Sequence, residues 1–300
     1  MAITSNNFAK ALYPGVNKWY GQSYDEYAVE YTKLFDTFSS RRAYEEDVSV
    51  SGFGLAAVKP EGGAIAYDTA QQGFLTRYTP IVYALGFIIT EEMVEDDLYD
   101  VIGKQKASAL AKSMRQTKET VAANIYNRAD NSSYTGGDGV ELMSSLHPNR
   151  AGGTYANELA TATDLSEAAV EQACIDISRL EDDRGLLAAI MPKSLHIPVD
   201  LSFDADRLFH STSRPGTADN DLNTMIGKFP GGIHVNHYFT DANAWFIRTS
   251  CDNGMKHFER KSDTFAIDSD FETGNAKFKA QGRYAFGWSD PRSFFGSNPA

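Results

Sequence analysis

His234 and His237 are, by residue type, the pair best suited to hold a metal ion in this 300-residue chain. Their surroundings, Ile233-His234-Val235, predict a strand. On a strand, positions i and i+3 point to opposite faces, so two such ligands diverge. His147 precedes Pro148 in a Gly-rich stretch and has no Cys or acidic cluster near it at ligand spacing. As a catalytic base it needs a Ser or Cys brought to it by the fold. The only two cysteines, Cys174 and Cys251, fit neither a zinc spacing nor a disulfide framework, and are expected as reduced, buried thiols.

The other chemical motifs fail at definite positions. No G-x-S-x-G nucleophile elbow is present, and Gly227-Lys228 is followed by Phe229, which breaks a phosphate-binding loop. The run Asp268-Ser269-Asp270-Phe271-Glu272-Thr273-Gly274 has its Gly one position late for a calcium loop, and Lys279 stands where the bidentate Glu belongs. It is expected to be a turn. Asn131-Ser132-Ser133 is a glycosylation triplet without a secretory context. No catalytic, cofactor-binding or metal residue is therefore assigned.

Composition narrows the class. At 42% hydrophobic and 23% charged, the chain is that of a folded protein, long enough to bury roughly 75% of its surface. Forty Asp and Glu against 28 Lys and Arg give a net charge of −12, which repels a phosphate backbone. The N-terminus carries no apolar signal region and no run approaches a membrane span, so folding in a reducing cytoplasm is the default.

The elements read as α+β. Tyr20, Tyr24, Tyr27, Tyr31, Leu34 and Phe38 recur at helical spacing and predict an amphipathic helix over 24–38, after an extended arm with a Tyr13-Pro14-Gly15 turn. That stripe must pack either on its own chain or on a neighbouring subunit. Residues 48–82 predict a long open hairpin around Gly62-Gly63, with too few large apolar residues to bury itself. Ile81 to Ile89 reads as a short buried strand. Residues 91–128 then predict one helix about 57 Å long. Its acids (Glu91 to Asp100) come first and its bases (Lys104 to Lys118) last, as the helix dipole favours. Its apolar face is read through Val94, Leu98, Val101, Ile102, Ala109, Met114, Val121 and Ile125. A helix over 164–181 opens on Asp164-Leu165-Ser166-Glu167. Strands at 186–190 and 194–199, a helix near 201–211, a polar loop at 212–223 and a mainly β region over 224–288 follow.

The order of these parts resembles the major capsid protein of tailed bacteriophages, the HK97-type fold. Leu85-Gly86-Phe87-Ile88-Ile89-Thr90-Glu91-Glu92-Met93-Val94-Glu95-Asp96-Asp97-Leu98-Tyr99 resembles the entry to the spine helix of Mu-type major head subunits. Leu142-Met143-Ser144-Ser145-Leu146-His147-Pro148-Asn149 resembles the segment after it. Asn223, Ala244-Trp245-Phe246 and Phe278 to Trp288 resemble the later strands.

The resemblance implies an N-terminal arm (1–47), an extended loop (48–82), a peripheral domain (83–185 and 263–300, with spine helix 91–128) and an axial domain (186–262). It implies a structural, non-enzymatic subunit that forms hexamers and pentamers of an icosahedral shell around double-stranded DNA. Virion localisation, assembly in the host cytoplasm, and scaffolding, portal and decoration proteins as partners go with it. The negative charge suits a wall that contains DNA without adhering to it. The early spine helix leaves no room for a fused scaffold. Lys59, alone of its type in the loop, is expected to be solvated rather than cross-linked to an Asn. Two rivals are an encapsulin-type compartment and a soluble hydrolase using His147 or His237.

Overall fold

The computed structural model describes residues 9–26, 28–95, 99–150, 152–212, 222–270 and 272–299. Elements occur in the order α1 (Ala9–Glu26), α2 (Tyr31–Leu34), β1 (Asp36–Ser39), β2 (Glu45–Val50), β3 (Gln72–Tyr78), β4 (Ile81–Ile89), α3 (Glu91–Glu95) and α4 (Tyr99–Asn127). The second half holds β5 (His147–Pro148), β6 (Thr154–Tyr155), α5 (Glu167–Ser178), β7 (Pro192–Pro198), α6 (Ser202–His210) and β8 (Ile233–Asn236). It ends with β9 (Trp245–Thr249), β10 (Met255–Ser269), β11 (Ala276–Trp288) and β12 (Phe294–Ser297).

The longest strands, β10 and β11, pair antiparallel, and β4 and β1 complete a sheet in the order β1-β10-β11-β4. Period-2 alternation sets its faces. Ala276, Phe278, Ala280 and Tyr284 are buried, while Lys277 and Lys279 between them are exposed. The buried face packs beneath α4 through Leu110, Met114, Phe265 and Phe278. The expected helix over 91–128 is described as α3 and α4, with residues 96–98 outside the described set. Its buried face is Ala107, Leu110, Ala111, Met114, Ala122, Ala123 and Tyr126; Ala109 is exposed. Val94, Leu98, Val101 and Ile102 lie outside the described side chains. Arg115 and Lys118, read from the sequence only for their place along the helix dipole, are buried on that face.

β4 also departs from expectation. It is an edge strand, not a buried one, and Ile81, Val82, Leu85 and Ile88 are 58%, 57%, 48% and 59% exposed. An apolar run signals a strand but does not say whether a neighbour covers it.

The second sheet runs β12-β9-β7-β8. With α5 and α6 it encloses a core that includes Val170, Ile177, Leu195, Ile197, Trp245 and Phe295. α5 is capped by Ser166, whose side chain accepts from the Ala169 N–H, two residues beyond the expected Asp164, and it ends at Ser178. The expected strand 186–190 is only a bridge, Glu181 to Leu187, because Gly185 and Ala189 take positive φ (76° and 51°) and break the extension. The expected loop 212–223 falls mostly on 213–221, outside the described residues.

The line expected between axial and peripheral parts, at 262/263, cuts through β10, and β12 joins the second sheet. Strand pairing is long-range, and local pattern does not reveal it.

The N-terminal segment is not one helix over 24–38. α1 ends at Glu26, α2 is one short turn, and Phe35 turns extended to launch β1, which pairs parallel with β10. The expected Tyr13-Pro14-Gly15 turn lies inside α1, at the cost of one main-chain donor at Pro14. The aromatic spacing survives because both helices face the same layer. Tyr20 stacks on Phe265 (centroids 5.0 Å apart), and Phe35 meets Tyr126 and Phe286 edge-on. Tyr20, Tyr31, Leu34 and Phe35 are all buried. Of the stripe, Tyr20, Tyr31 and Leu34 are core of their own chain, Phe38 is 44% exposed, and Tyr27 lies outside the described residues.

Candidate assembly surface

The hairpin is anchored at its base and open at its tip. Its ladder starts at Glu45, three residues before the expected boundary, and runs to Val50 opposite Gln72. At this end Lys256 bonds Asp47, Arg77 Nη2 donates to Glu46 (2.6 Å), and the buried Tyr78 hydroxyl meets Ser289 (2.6 Å). Gly137 lets the loop after α4 press against β3. A Cβ there would sit 2.7 Å from the Leu75 carbonyl oxygen.

Beyond the ladder, residues 53–67 form neither strand nor helix. Gly62, with φ 75°, supplies the left-handed residue of the turn at the tip. Leu55, Val58 and Tyr67 are 84%, 96% and 88% exposed, and Phe53 and Ile65 are exposed as well. A polar strap holds the two arms. Asp68 accepts from the Gly54 N–H at 2.8 Å and bonds the Arg184 guanidinium. The Gly54 amide and then Arg184 hold the Asp68 carboxyl down at about 2. The strap residues are far apart in sequence, so their pairing left no local signal. Lys59 is exposed beside the turn.

Beneath the spine helix lies a layer of paired charges. Lys118 Nζ donates to Glu259 at 2.8 Å and lies 4.8 Å from the Tyr31 ring centroid. Burial raises the Glu259 carboxyl, but the Lys118 hydrogen bond and charge outweigh it, and the net direction is down. Glu119 accepts from the Glu30 and Tyr31 amides (3.1 and 2.8 Å), so it caps α2 from another helix; burial pushes its carboxyl up. Arg115 sits 4.1 Å over the Tyr24 ring. Burial, then the Lys118 charge, depress His257 to about 3. These charges at 115, 118 and 119 interrupt the apolar face at helical spacing, which was the available signal.

The expected chemical residues are not brought together. His234 Nε2 meets the Gly231 carbonyl at 2.9 Å, and His237, beyond the end of β8, bonds Glu30 at 2.6 Å. His147 is fully buried, and it has the acidic partner that the spacing did not suggest. Nδ1 meets Asp138 at 2.7 Å and Nε2 faces the Leu142 carbonyl at 3.3 Å. With both nitrogens engaged, it is a structural peg. Cys174 and Cys251 are half-buried rather than buried. Burial raises both thiols, and Asp290 raises Cys251 further. Asp270 closes the 270–275 turn, accepting from Lys277 at 2.7 Å. Among the described residues no cluster of three His, Cys, Asp or Glu could hold a metal ion, and no helix is long and apolar enough to cross a membrane.

The two-sheet architecture, with its long helix and projecting hairpin, has counterparts among solved structures. The capsid of an empty GTA particle is 14% identical, with a TM-score of 0.55 over 91% of this chain and 92% of that one. The mature capsid of bacteriophage PhiM1 is 12% identical, with a TM-score of 0.55 over 90% and 86%. The virus-like particle from Pyrococcus furiosus is 13% identical, with a TM-score of 0.52 over 94% and 98%. At these identities the likeness shows the fold, which is HK97-type. No curated protein sequence matches the chain. The profile of the phage capsid protein family matches residues 74–296, from β3 to β12, and the chain belongs to that family.

Proposed function

We propose that this chain is the structural subunit of an icosahedral phage head, assembled from hexamers and pentamers around double-stranded DNA, and not an enzyme. The observation that carries this reading is the hairpin tip. A run of apolar residues held open by a polar strap gains burial only against another molecule. Many modest contacts of this kind add across a shell, at about 25 cal/mol per Å² buried.

The parts divide the labour. Residues 1–47 are the arm, and its Tyr20, Tyr31, Leu34 and Phe35 are seated on its own subunit. The hairpin is the extended loop. The long sheet with α4 forms the peripheral part, and the β12-β9-β7-β8 sheet with α5 and α6 forms the axial part, which gathers at the symmetry centres. The net charge of −12 suits a wall that does not grip its genome. Assembly takes place in the host cytoplasm, with a separate scaffolding protein, and the mature location is the virion.

Replacing residues 53–67 by a short Gly-Ser turn tests the reading. A deletion of all of 48–82 would also remove the buried Tyr78 and the start of β4. The shortened protein is expected to keep its melting temperature and to form no shells in negative-stain micrographs. Closed shells from it would overturn the proposal.

The likeness to a virus-like particle favours one second reading, an encapsulin-type compartment. Purified particles separate the two: nuclease-protected DNA supports the phage head, and a co-purifying enzyme supports the compartment.

A further inference from the structure

In a chain with 40 acids against 28 bases, two adjoining cavities are lined by arginine and by no acid. The first, about 430 Å³, lies between β3, β4, α4 and β11, and its one charged residue is Arg77. The second, about 420 Å³, has Arg128 as its one charged residue. Tyr83, Val121, Ile125, Thr135 and Trp288 form a wall common to both. Cavities of this size and apolar character suit a small molecule.

Trp288 is the polar point of the common wall. The residue is 9% exposed, its ring nitrogen is buried, and the N–H has no acceptor. A buried donor left unmade costs free energy, which an acceptor in the cavity recovers. Gly136 keeps that edge of the indole uncovered. A Cβ there would sit 2.7 Å from the Trp288 nitrogen, and Gly136 is not among the glycines of positive φ. Space, not backbone conformation, therefore calls for glycine at this position.

Arg128 supplies a charge. Its guanidinium lies 4.6 Å over the Tyr134 ring and has no ion-pair partner among the described residues. Arg77, by contrast, is held by Glu46 at 2.6 Å. Arg128 is thus the cation open to an incoming anion, and its planar fork matches a carboxylate.

We propose that the two cavities together bind a single-chain fatty carboxylate. The carboxylate pairs with Arg128 and accepts from the Trp288 N–H, and the hydrocarbon chain lies along Val121 and Ile125 toward Ile81 and Phe286. The site belongs to the single subunit and does not depend on the shell reading.

Isothermal titration calorimetry of the unassembled full chain with dodecanoate, kept below its micelle concentration, tests this. One saturable site per subunit is expected, filled below about 1 mM. Dodecanoate is also expected to raise the melting temperature of the unmodified protein, a readout that needs no variant. Arg128→Gln, an exposed position, should bind dodecanoate about tenfold more weakly and leave the binding of dodecanol unchanged. Val121→Phe, which fills the common wall, should weaken both. Absence of a saturable site, or of the rise in melting temperature, overturns the proposal. Binding that survives Val121→Phe unchanged lies elsewhere and overturns the site, and equal affinity for dodecanol and dodecanoate overturns the pairing with Arg128.

Discussion

The aromatic N-terminal segment and the distal hairpin look alike as sequence and end in opposite environments. Both place apolar side chains where no local partner is evident. Tyr20, Tyr31, Leu34 and Phe35 are buried against α4 and the long sheet of the same chain, whereas Phe53, Leu55, Val58, Ile65 and Tyr67 stay in solvent. The difference is one of anchoring. The first segment is held by β1, paired to β10, and by Glu119 capping α2 from below. The hairpin tip has only the Asp68 strap, which fixes its arms to each other and to Arg184 without covering them.

The comparison breaks if the buried segment tolerates truncation. Phe35→Ala should cost about 3–5 kcal/mol of subunit stability, read from urea denaturation of unassembled protein, because a fully buried ring leaves a cavity. A loss below about 1 kcal/mol would mean that this segment is not core.

Lys118→Met should cost less, about 2–3 kcal/mol. It strands the Glu259 carboxylate under the helix, but Glu259 is 29% exposed and water screens part of the loss. Restoration by the double variant Lys118→Met with Glu259→Leu, measured as a double-mutant cycle, would sharpen the assignment of the pair.

The same layer sets a pH dependence. His257 is depressed to about 3 in the folded chain, against about 6.5 unfolded. The unfolded chain therefore binds the extra proton first. The contribution is complete above pH 6.5 and declines by up to about 1.4 kcal/mol per pH unit as pH falls toward 3. His257→Phe should flatten the melting temperature between pH 6.5 and 4.5. An unchanged slope would place the titration elsewhere; His196, also held well below its ordinary value by burial, is the next group to replace.

Smallest in stability is Leu55→Ser. With the side chain 84% exposed, unfolding of the free subunit should shift by no more than about 0.5 kcal/mol, while the concentration needed for shell formation rises. A large loss of subunit stability would erase the contrast between the two regions.

Much of the molecule was legible before its structure. The region 224–288 read as mainly β and holds β8 to β11, the stretch 91–128 marked the spine helix, and Gly62-Gly63 marked the tip of a hairpin. The misreadings share a cause. The 3-4 spacing of aromatics through Phe38 merged two helices and a strand into one, since periodicity records which side is apolar and not where the chain bends. β4 looked buried for its composition, yet edge position depends on strand order. The helix start moved by two residues because Asp164 and Ser166 are both competent cap residues, and it is the Ser166 side chain that accepts from the Ala169 N–H.

The sequence by itself determined the class: an acidic, mixed α and β chain without a nucleophile, metal or phosphate motif, in the order of elements of a phage capsid subunit. These features are local or compositional, and local physics writes them along the chain. Only the tertiary structure decided which apolar stretches are core and which are surface, that Lys118 and Glu259 meet under the helix, that Asp68 reaches Arg184, and that β4 is an open edge. Each of those depends on contacts between residues distant in sequence, where chain folding, not residue type, sets the partner.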